Sequence, residues 1–446
     1  MPHTADRLAA LAQQVLGRPT PIRIRAWDGS EAGPPDGPAL VVRNRRALRR
    51  LMWKPGELGF ARGWVSGDLD VDGDLYDALD RLAGIALHRD EPVPGSAGAA
   101  RGPAGRDRRL ERPRPSARAA LGMLRPVGEA LTLTGLPVPP PAPVEEVRRR
   151  RGILHSLRRD QEAIRHHYDV GNDFYALILG PSMVYSCAYW DRPDATLEDA
   201  QRAKLDLICR KLALGPGMRL LDVGCGWGSM ALHAAEHYGV QVVGITISRE
   251  QADLARKRVS EAGLTGRVEI RIQDYREHAD GPYDAISSIG MAEHVGRIRF
   301  REYADILYEL LRPGGRLLNH QIARRPAPNE AAYQVDEFID RYVFPDGELA
   351  PVGRTVSVLE EAGFEIRDVH ALREHYATTL RAWVANLEAA AEQAERLASP
   401  GRVRVWRLYM AASALAFEQN RIGVNQILAI KTPASGRSGM PPTRTM

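Results

Sequence analysis

The chain has 446 residues, 44% of them hydrophobic and 26% charged, with a formal net charge of +5 at pH 7, which favours two globular domains joined by linkers. Its three cysteines form no CxxC pair, which argues against a disulfide framework and against a structural zinc site. No stretch is apolar enough to span a bilayer and the N-terminus has no signal-peptide core, so we expect a cytoplasmic protein whose membrane contact is peripheral.

The N-terminal region alternates strand-like and helix-like patterns. Strands are predicted at 39–44 and 63–73, and helices at 45–53 and 74–84. These patterns predict a small α+β domain over residues 1–88.

A linker is predicted over residues 89–152, which are rich in proline, glycine, alanine and arginine. One short helical piece, at 117–134, interrupts it. The linker ends in Arg148–Arg151, which is either a solvated spacer or a polybasic patch that attracts anionic lipid headgroups. Its arginines have no aromatic residues between them, so we do not expect nucleic-acid binding.

The region 153–432 alternates strand-like stretches with amphipathic helical ones. The strands are predicted at 218–224, 240–247, 268–274, 283–290 and 315–323. This alternation is typical of a parallel sheet with helices on both faces, whose ligands bind at the carboxyl ends of the strands. Long helices and a final strand are predicted over 379–430, and a disordered tail over 433–446.

The first of these strands leads into a glycine-rich turn, LLDVGCGWGSM. The turn places an aspartate and three glycines at alternate positions: Asp222, Gly224, Gly226 and Gly228. A dinucleotide site has GxGxxG instead, followed by an acidic residue after the next strand, where this chain has Thr246, Ile247 and Ser248. A glycine turn with no pyrophosphate to bind suits S-adenosylmethionine. Gln251 and Asp274, after the next two strands, are the expected partners of its ribose and adenine.

Several longer stretches resemble the cyclopropane fatty acid synthase family, methyltransferases that include the mycolic acid cyclopropane synthases. They lie in the order of the family between about 160 and 430 and include HHYDVGNDFYALILGPSMVYSCAYW, VGITISREQ, IQDYRE, SIGMAEHVG, LLNHQIA, YVFPDGELAP and HYATTLRAW. The first 88 residues resemble only loosely the lipid-carrier-like N-terminal domain of the longer synthases.

This resemblance implies an α/β, Rossmann-like class I methyltransferase domain that binds S-adenosylmethionine. It adds cofactor ligands at Tyr168, Tyr185, Ser186, Cys225 within the glycine turn, and Tyr275. It also implies methyl transfer to the cis double bond of an unsaturated phospholipid acyl chain, at the inner face of an anionic membrane, by an enzyme that could be a homodimer.

The resemblance further implies a bound bicarbonate, which takes the proton released by the carbocation. Its ligands are expected to be the following residues: Cys187, Glu293, His320, the backbone of Ile322, and Tyr376. An anion between Glu293 and His320 implies either a protonated histidine or a neutral carboxyl group. The histidines at 166, 167 and 294 fit no standard metal-ligand spacing, so we expect no metal.

One position departs from the pattern of the family. The residue before Glu293 is commonly phenylalanine and is Ala292 here. A smaller side chain beside the base is predicted to reshape the wall around the cation, so the product is either a cyclopropane or a methylene branch, the precursor of a 10-methyl fatty acid. Two other classes of function remain open: a methyltransferase acting on a polar acceptor, and a noncatalytic lipid-binding protein.

Overall fold

The computed structural model describes residues 2–87, 132–135, 138–147, 156, 159–160, 170–330, 333 and 335–441. The chain divides into two compact units, Met1–Pro143 and Val144–Met446. Their boundary lies within the segment predicted as a linker. Arg148–Arg151, and Tyr168 among the expected cofactor ligands, lie outside the described residues.

The first unit combines a small sheet with helices. Its described strands are β1 (Arg23–Arg25), β2 (Glu31–Ala32), β3 (Ala39–Val42) and β4 (Leu69–Asp72), in the order β2-β1-β3-β4. Its helices are α1 (Thr4–Leu16), α2 (Arg45–Trp53), α3 (Glu57–Val65) and α4 (Leu75–Leu87). Apolar side chains from α1, β1, β3 and β4 share one core.

The prediction of a strand at 63–73 is wrong for the first half of this range. Residues 63–65 end α3, and only Leu69–Asp72 form a strand. Trp64 is fully buried in the helix, and a Cβ on Gly63 would lie 2.7 Å from the Leu69 side chain, so helix and strand pack directly together. This tertiary contact outweighs the strand propensity of tryptophan and valine.

The second unit contains the larger sheet. Its strands are β5 (Arg219–Val223), β6 (Gln241–Thr246), β7 (Val268–Ile272), β8 (Tyr283–Ile289), β9 (Leu311–Arg324), β10 (Glu365–Ala371) and β11 (Ile422–Ile430). Its longer helices are α5 (Asn172–Leu179), α6 (Leu197–Leu212), α7 (Ser229–Tyr238), α8 (Arg249–Glu261) and α9 (Ala292–Leu310). They are followed by α10 (Glu337–Tyr342), α11 (Val352–Glu361), α12 (Arg373–Ala389), α13 (Ala391–Leu397) and α14 (Pro400–Glu418).

The strands of this sheet lie in the order β10-β11-β9-β8-β5-β6-β7. From β9 to β7 neighbouring strands pair in parallel, as the sequence predicts. The final strand, β11, is an exception, because it runs antiparallel to both β9 and β10. The edge strand β10 was not predicted. Its sequence, EIRDVHA, carries the charged residues that protect sheet edges and hide the apolar alternation.

The two faces of the sheet pack against different helices. Leu220 and Leu318 lie in a core cluster with apolar residues of α6, α7 and α8. Their neighbours Leu221 and Leu317 lie in a second cluster with residues of α9 and α11. Because side chains alternate along a strand, His320 projects from the same face as Leu318, toward α6.

Candidate active site

The turn between β5 and α7 has a backbone shape that favours glycine. Gly224, Gly226 and Gly228 have φ angles of 76°, 54° and 80°, in the left-handed region. A Cβ on Gly228 would lie 3.2 Å from the Cβ of Ala255 in α8, and one on Gly224 would lie 3.3 Å from the sulfur of Met291. A Cβ on Gly226 would meet no atom of the described chain within 4 Å. Of the three glycines, Gly226 therefore borders free space.

Asp222 lies at the carboxyl end of β5, beneath this turn. Its Oδ1 accepts a hydrogen bond from Ser287 over 2.7 Å, while the buried Oδ2 has no partner among the residues that the structure describes. Burial raises the pKa of Asp222 to about 6, against the opposing effects of the Ser287 hydrogen bond and the Lys204 charge. Asp222 thus keeps one oxygen available to a ligand. Its neighbour Cys225 is buried.

Three polar residues form a network at the carboxyl end of β6, the strand next to β5. Thr246 Oγ1 donates to Gln251 Oε1 over 2.9 Å, and Ser248 caps α8 by accepting the N–H of Gln251 over 3.3 Å. Ile247 lies between them and is half-buried. The structure thus brings Gln251 to the edge of the sheet that carries the glycine turn.

Asp274 follows β7 and begins a short 3-10 turn, Tyr275–Glu277. The sequence predicts Asp274 as a ligand of ribose or adenine, whereas both of its oxygens accept hydrogen bonds from Arg276 over 2.8 Å. A carboxylate has about four acceptor sites, so Asp274 retains capacity for a hydroxyl group. Tyr275 packs edge-on against Tyr303, with ring centroids 5.1 Å apart, and so its ring belongs to the core.

Glu293 lies in the first turn of α9, directly after β8. Its Oε1 accepts the N–H of Ile322 on β9 over 2.7 Å, whereas its solvent-inaccessible Oε2 has no partner within the described ranges. Burial raises the pKa of Glu293 to about 7. The sequence predicts that the Ile322 backbone binds an anion, but this N–H is already committed to Glu293. Ile322 therefore positions the carboxyl group.

His320 is buried on β9, two residues before Ile322 and on the same face of the strand. Neither ring nitrogen has a hydrogen-bond partner in the described part of the chain. Burial, assisted by the charges of Lys204 and Lys211, lowers the pKa of His320 to about 3. His320 is thus neutral at pH 7, so of the two charge states considered above the structure favours the neutral carboxyl group over the imidazolium.

Cys187 and Tyr376 meet at the backbone carbonyl of Leu372. The Cys187 sulfur lies 3.6 Å from this oxygen, and the Tyr376 N–H donates to it over 3.1 Å. Leu372 in turn donates its N–H to Val424 of β11 over 2.9 Å, which ties both residues to the sheet. Burial raises the pKa of the Cys187 thiol well above its ordinary value, so the thiol stays protonated and is a poor nucleophile.

Tyr185 belongs to an aromatic cluster. Its ring centroid lies 5.6 Å from that of Tyr175, 5.4 Å from Trp383 and 5.9 Å from Trp406. The cluster reaches the glycine turn, because Tyr175 lies 4.9 Å from the ring of Trp227. Aromatic faces attract cations, so this cluster suits a positively charged sulfur or carbon.

The family model described as mycolic acid cyclopropane synthetase matches residues 155–427. The chain belongs to this family. A probable fatty acid methyltransferase of Mycobacterium tuberculosis is 41% identical over 426 residues, which cover 94% of this chain and 93% of that protein. The cyclopropane-fatty-acyl-phospholipid synthase of Escherichia coli is 40% identical over 275 residues, 62% of this chain and 69% of that enzyme.

The fold agrees with this family. The crystal structure of the mycolic acid cyclopropane synthase CmaA1 with SAH and CTAB matches 61% of this chain and 98% of its own, with 35% identity and a TM-score of 0.58. The predicted family, the Rossmann-like fold and the use of S-adenosylmethionine are therefore confirmed, and the protein is an S-adenosylmethionine-dependent C-methyltransferase. Within the described residues, no helix combines the length and apolar character needed to cross a bilayer.

Sequence reasoning missed the polar residues of α6. Lys204 Nζ donates to Ser186 Oγ over 2.9 Å, and Gln201 Nε2 donates to the Ser186 carbonyl over 3.0 Å. Burial lowers the pKa of Lys204 to about 8. A usable signal exists in the sequence, since Gln201 and Lys204 share the buried helix face with Leu205 and Ile208. The structure thus places a buried lysine and a buried amide beside Ser186, one of the predicted cofactor ligands.

Proposed function

We propose that this enzyme transfers the methyl group of S-adenosylmethionine to a cis double bond in an unsaturated phospholipid acyl chain. The names of its relatives support a lipid substrate. A carbon–carbon double bond is a poor nucleophile, so the site must align it with the methyl group and exclude water. The observation that carries the proposal is that Glu293 Oε2 and both ring nitrogens of His320 are buried without a partner in the described chain.

The residues at the carboxyl ends of β5 to β7 fit the cofactor, which supplies the methyl group when bound. Asp222 Oδ2 is an acceptor for the ammonium group of the methionine end. Gly226 leaves free space beside the turn. Gln251 and Asp274 are proposed to hold the ribose and adenine groups, and Tyr185 is proposed to face the sulfonium.

Glu293 and His320 fit bicarbonate, which supplies a base when bound. Methyl transfer leaves a carbocation on the acyl chain, and an apolar site has no natural base to remove its proton. Glu293 offers a carboxyl oxygen, and His320 offers a ring N–H, to a small oxyanion. Cys187 and Tyr376, which both contact the Leu372 carbonyl, are proposed as further ligands of the anion.

Two products are compatible with this chemistry. Loss of a proton from the new methyl group with ring closure gives a cyclopropane. A hydride shift before proton loss gives a methylene branch instead.

The test uses the purified full chain with S-adenosylmethionine and vesicles of a monounsaturated anionic phospholipid. The released fatty acids are analysed before and after hydrogenation under conditions that spare a cyclopropane. We expect a gain of one methylene unit: resistance to hydrogen identifies a cyclopropane, and uptake of hydrogen identifies a methylene branch. No gain in mass would contradict the proposal and favour a polar acceptor or a lipid-binding role.

The proposed membrane partner is tested with the same preparation. Arg148–Arg151 predict attraction to anionic headgroups, so vesicles of a neutral phospholipid should bind less protein than anionic ones. Sedimentation with each kind of vesicle, at low and high salt, measures the difference. Equal binding to both would remove the anionic surface from the proposal. Sedimentation equilibrium without vesicles tests the proposed homodimer.

The Ala292→Phe variant tests the origin of the product. The Ala292 side chain lies in the core cluster with Val295 and Tyr303, on the opposite face of the sheet from His320. We therefore expect phenylalanine to overpack this core and to destabilise the protein by about 1–3 kcal/mol, with the ratio of products unchanged. Thermal unfolding and fatty acid analysis measure the two effects. A shift toward cyclopropane would instead support the sequence-based interpretation that this position shapes the wall around the cation.

A further inference from the structure

Gln426 is a fully buried residue of β11 that the sequence does not single out. Neither its side-chain oxygen nor its side-chain nitrogen has a hydrogen-bond partner among the residues described. An amide buried in this way costs about 1–3 kcal/mol of stability. Folded proteins satisfy most of their buried polar groups, so an unpartnered amide marks a place where water or a ligand can bind.

The strand register places Gln426 beside the anion ligands. Gln426 lies directly opposite His320 in the antiparallel pair of β9 and β11. Residues opposite each other in such a pair project from the same face of the sheet. Both ring nitrogens of His320 also lack partners in the described ranges, as does Glu293 Oε2 at the end of the neighbouring strand. Gln426 and His320 are thus neighbours on one face of the sheet, and Glu293 is held to the same strand, β9, two residues further on, by its hydrogen bond from Ile322.

The charges around this place favour an anion. Lys204 and Lys211, both on α6, act electrostatically on His320, and both are buried. Lys211 is compensated by Asp368, 2.9 Å away. The Lys204 ammonium contacts the neutral hydroxyl of Ser186 and interacts electrostatically with Asp222, whose own pKa is raised by burial. Because burial raises the pKa of Glu293 to about 7, its carboxyl group carries only part of a negative charge near this pH and repels an anion weakly.

We propose that Gln426 is a direct ligand of the bicarbonate, donating its side-chain N–H to an anion oxygen. This inference rests on the proposed function. The groups fit a small oxyanion, because Gln426 and His320 would each offer an N–H to its oxygens and the neutral Glu293 carboxyl would offer the O–H of Oε2.

The experiment measures bicarbonate binding directly. The full chain, saturated with S-adenosylhomocysteine, is titrated with sodium bicarbonate against sodium chloride at equal ionic strength, and the dissociation constant is taken from the rise in melting temperature. We expect Gln426→Met, which keeps the volume and removes the amide, to raise this constant about 10- to 100-fold. The affinity for S-adenosylhomocysteine should stay within about twofold, because Gln426 lies away from the glycine turn.

Asn425→Ala is the matched control, because Asn425 is a buried amide on the same strand that lies opposite Gln321 on the other face. It should bind bicarbonate like the wild type. Gln426→Asn, which keeps a shorter amide, replaces Gln426→Met if that variant does not fold, and should show a smaller loss. Wild-type affinity in the Gln426 variants would overturn the proposal.

Absence of a bicarbonate effect in the wild-type protein would also overturn it. The vesicle assay then distinguishes failure of the bicarbonate proposal from failure of the proposed lipid substrate. Methylated lipid would leave the proposed substrate intact and remove only the anion and its ligand. Absence of methylated lipid would remove the proposed function as well.

Discussion

Replacing Glu293 by glutamine is expected to lower kcat for lipid methylation about 100- to 1,000-fold, because the amide cannot exchange a proton with a bound base. The amide oxygen can still accept the N–H of Ile322, so the start of α9 should keep its position. The affinity for S-adenosylmethionine should change by less than about twofold. Single-turnover rates with saturating cofactor measure the chemical step.

Glu348→Gln is the matched control for this variant. Glu348 accepts the N–H of Arg297 over 2.7 Å and donates its own N–H to the backbone of Glu293 over 3.0 Å, so it neighbours the site without facing the anion. Its rate should match the wild type. The wild-type rate should also depend on a group that titrates near pH 7, and Glu293→Gln should lose this dependence. An unchanged pH profile in Glu293→Gln would contradict the assigned role.

The same substitution should change stability with a defined sign. The pKa of Glu293 is raised from 4.5 to about 7, so the folded state holds a proton that the unfolded state releases. The stability that this proton provides is full below pH 4.5 and is lost as the pH rises through 7. Glutamine has no such loss. The difference in the free energy of unfolding, Glu293→Gln minus wild type, should therefore increase by up to about 3 kcal/mol between pH 4.5 and pH 8. Urea titrations of both proteins test this, and a constant difference would contradict it.

Substitution of Gly226 by alanine is expected to weaken S-adenosylmethionine binding about 10- to 100-fold, since the new methyl group enters the space assigned to the cofactor. Gly228→Ala is the matched control. Both glycines have positive φ, so both variants carry a backbone cost of about 1–2 kcal/mol. Gly228→Ala also presses against Ala255, and so it should lose stability while it keeps its cofactor affinity.

Calorimetric titration and thermal unfolding of the two variants measure both effects. Equal loss of affinity in the two would show that the shape of the turn, and not the free space at Gly226, governs binding. Equal affinity in Gly226→Ala and the wild type would place the cofactor elsewhere along the edge of the sheet.

Local patterns in the sequence predicted the parts of the site that lie at strand ends. Asp222 lies in a strand of five residues that the glycines follow, and the apolar run of this strand is visible in the sequence. Glu293 and His320 were reached through a family resemblance. The structure adds that burial raises the pKa of Glu293 to about 7 and lowers that of His320 to about 3.

Features that depend on distant contacts were not predictable in this way. Gln426 is a polar residue in a largely apolar strand. Its proposed role depends on its pairing with His320, which lies more than 100 residues earlier in the sequence. The direction of β11 likewise depends on the helices that precede it. The hydrogen bond that the Ile322 N–H donates to Glu293 was also not foreseen, because no sequence pattern shows that this carboxyl group turns back to accept it.

The position of β11 has a consequence for how the protein reaches its native state. In the sequence, β10 and five helices, α10 to α14, lie between β9 and β11, whereas in the sheet β11 pairs between β9 and β10. Until β11 pairs with it, β9 presents a long, largely apolar edge with unpaired backbone groups, which invites pairing with another chain. We therefore expect the pairing of β11 with β9 to protect the chain from aggregation. Conditions that delay this pairing should yield insoluble protein during expression.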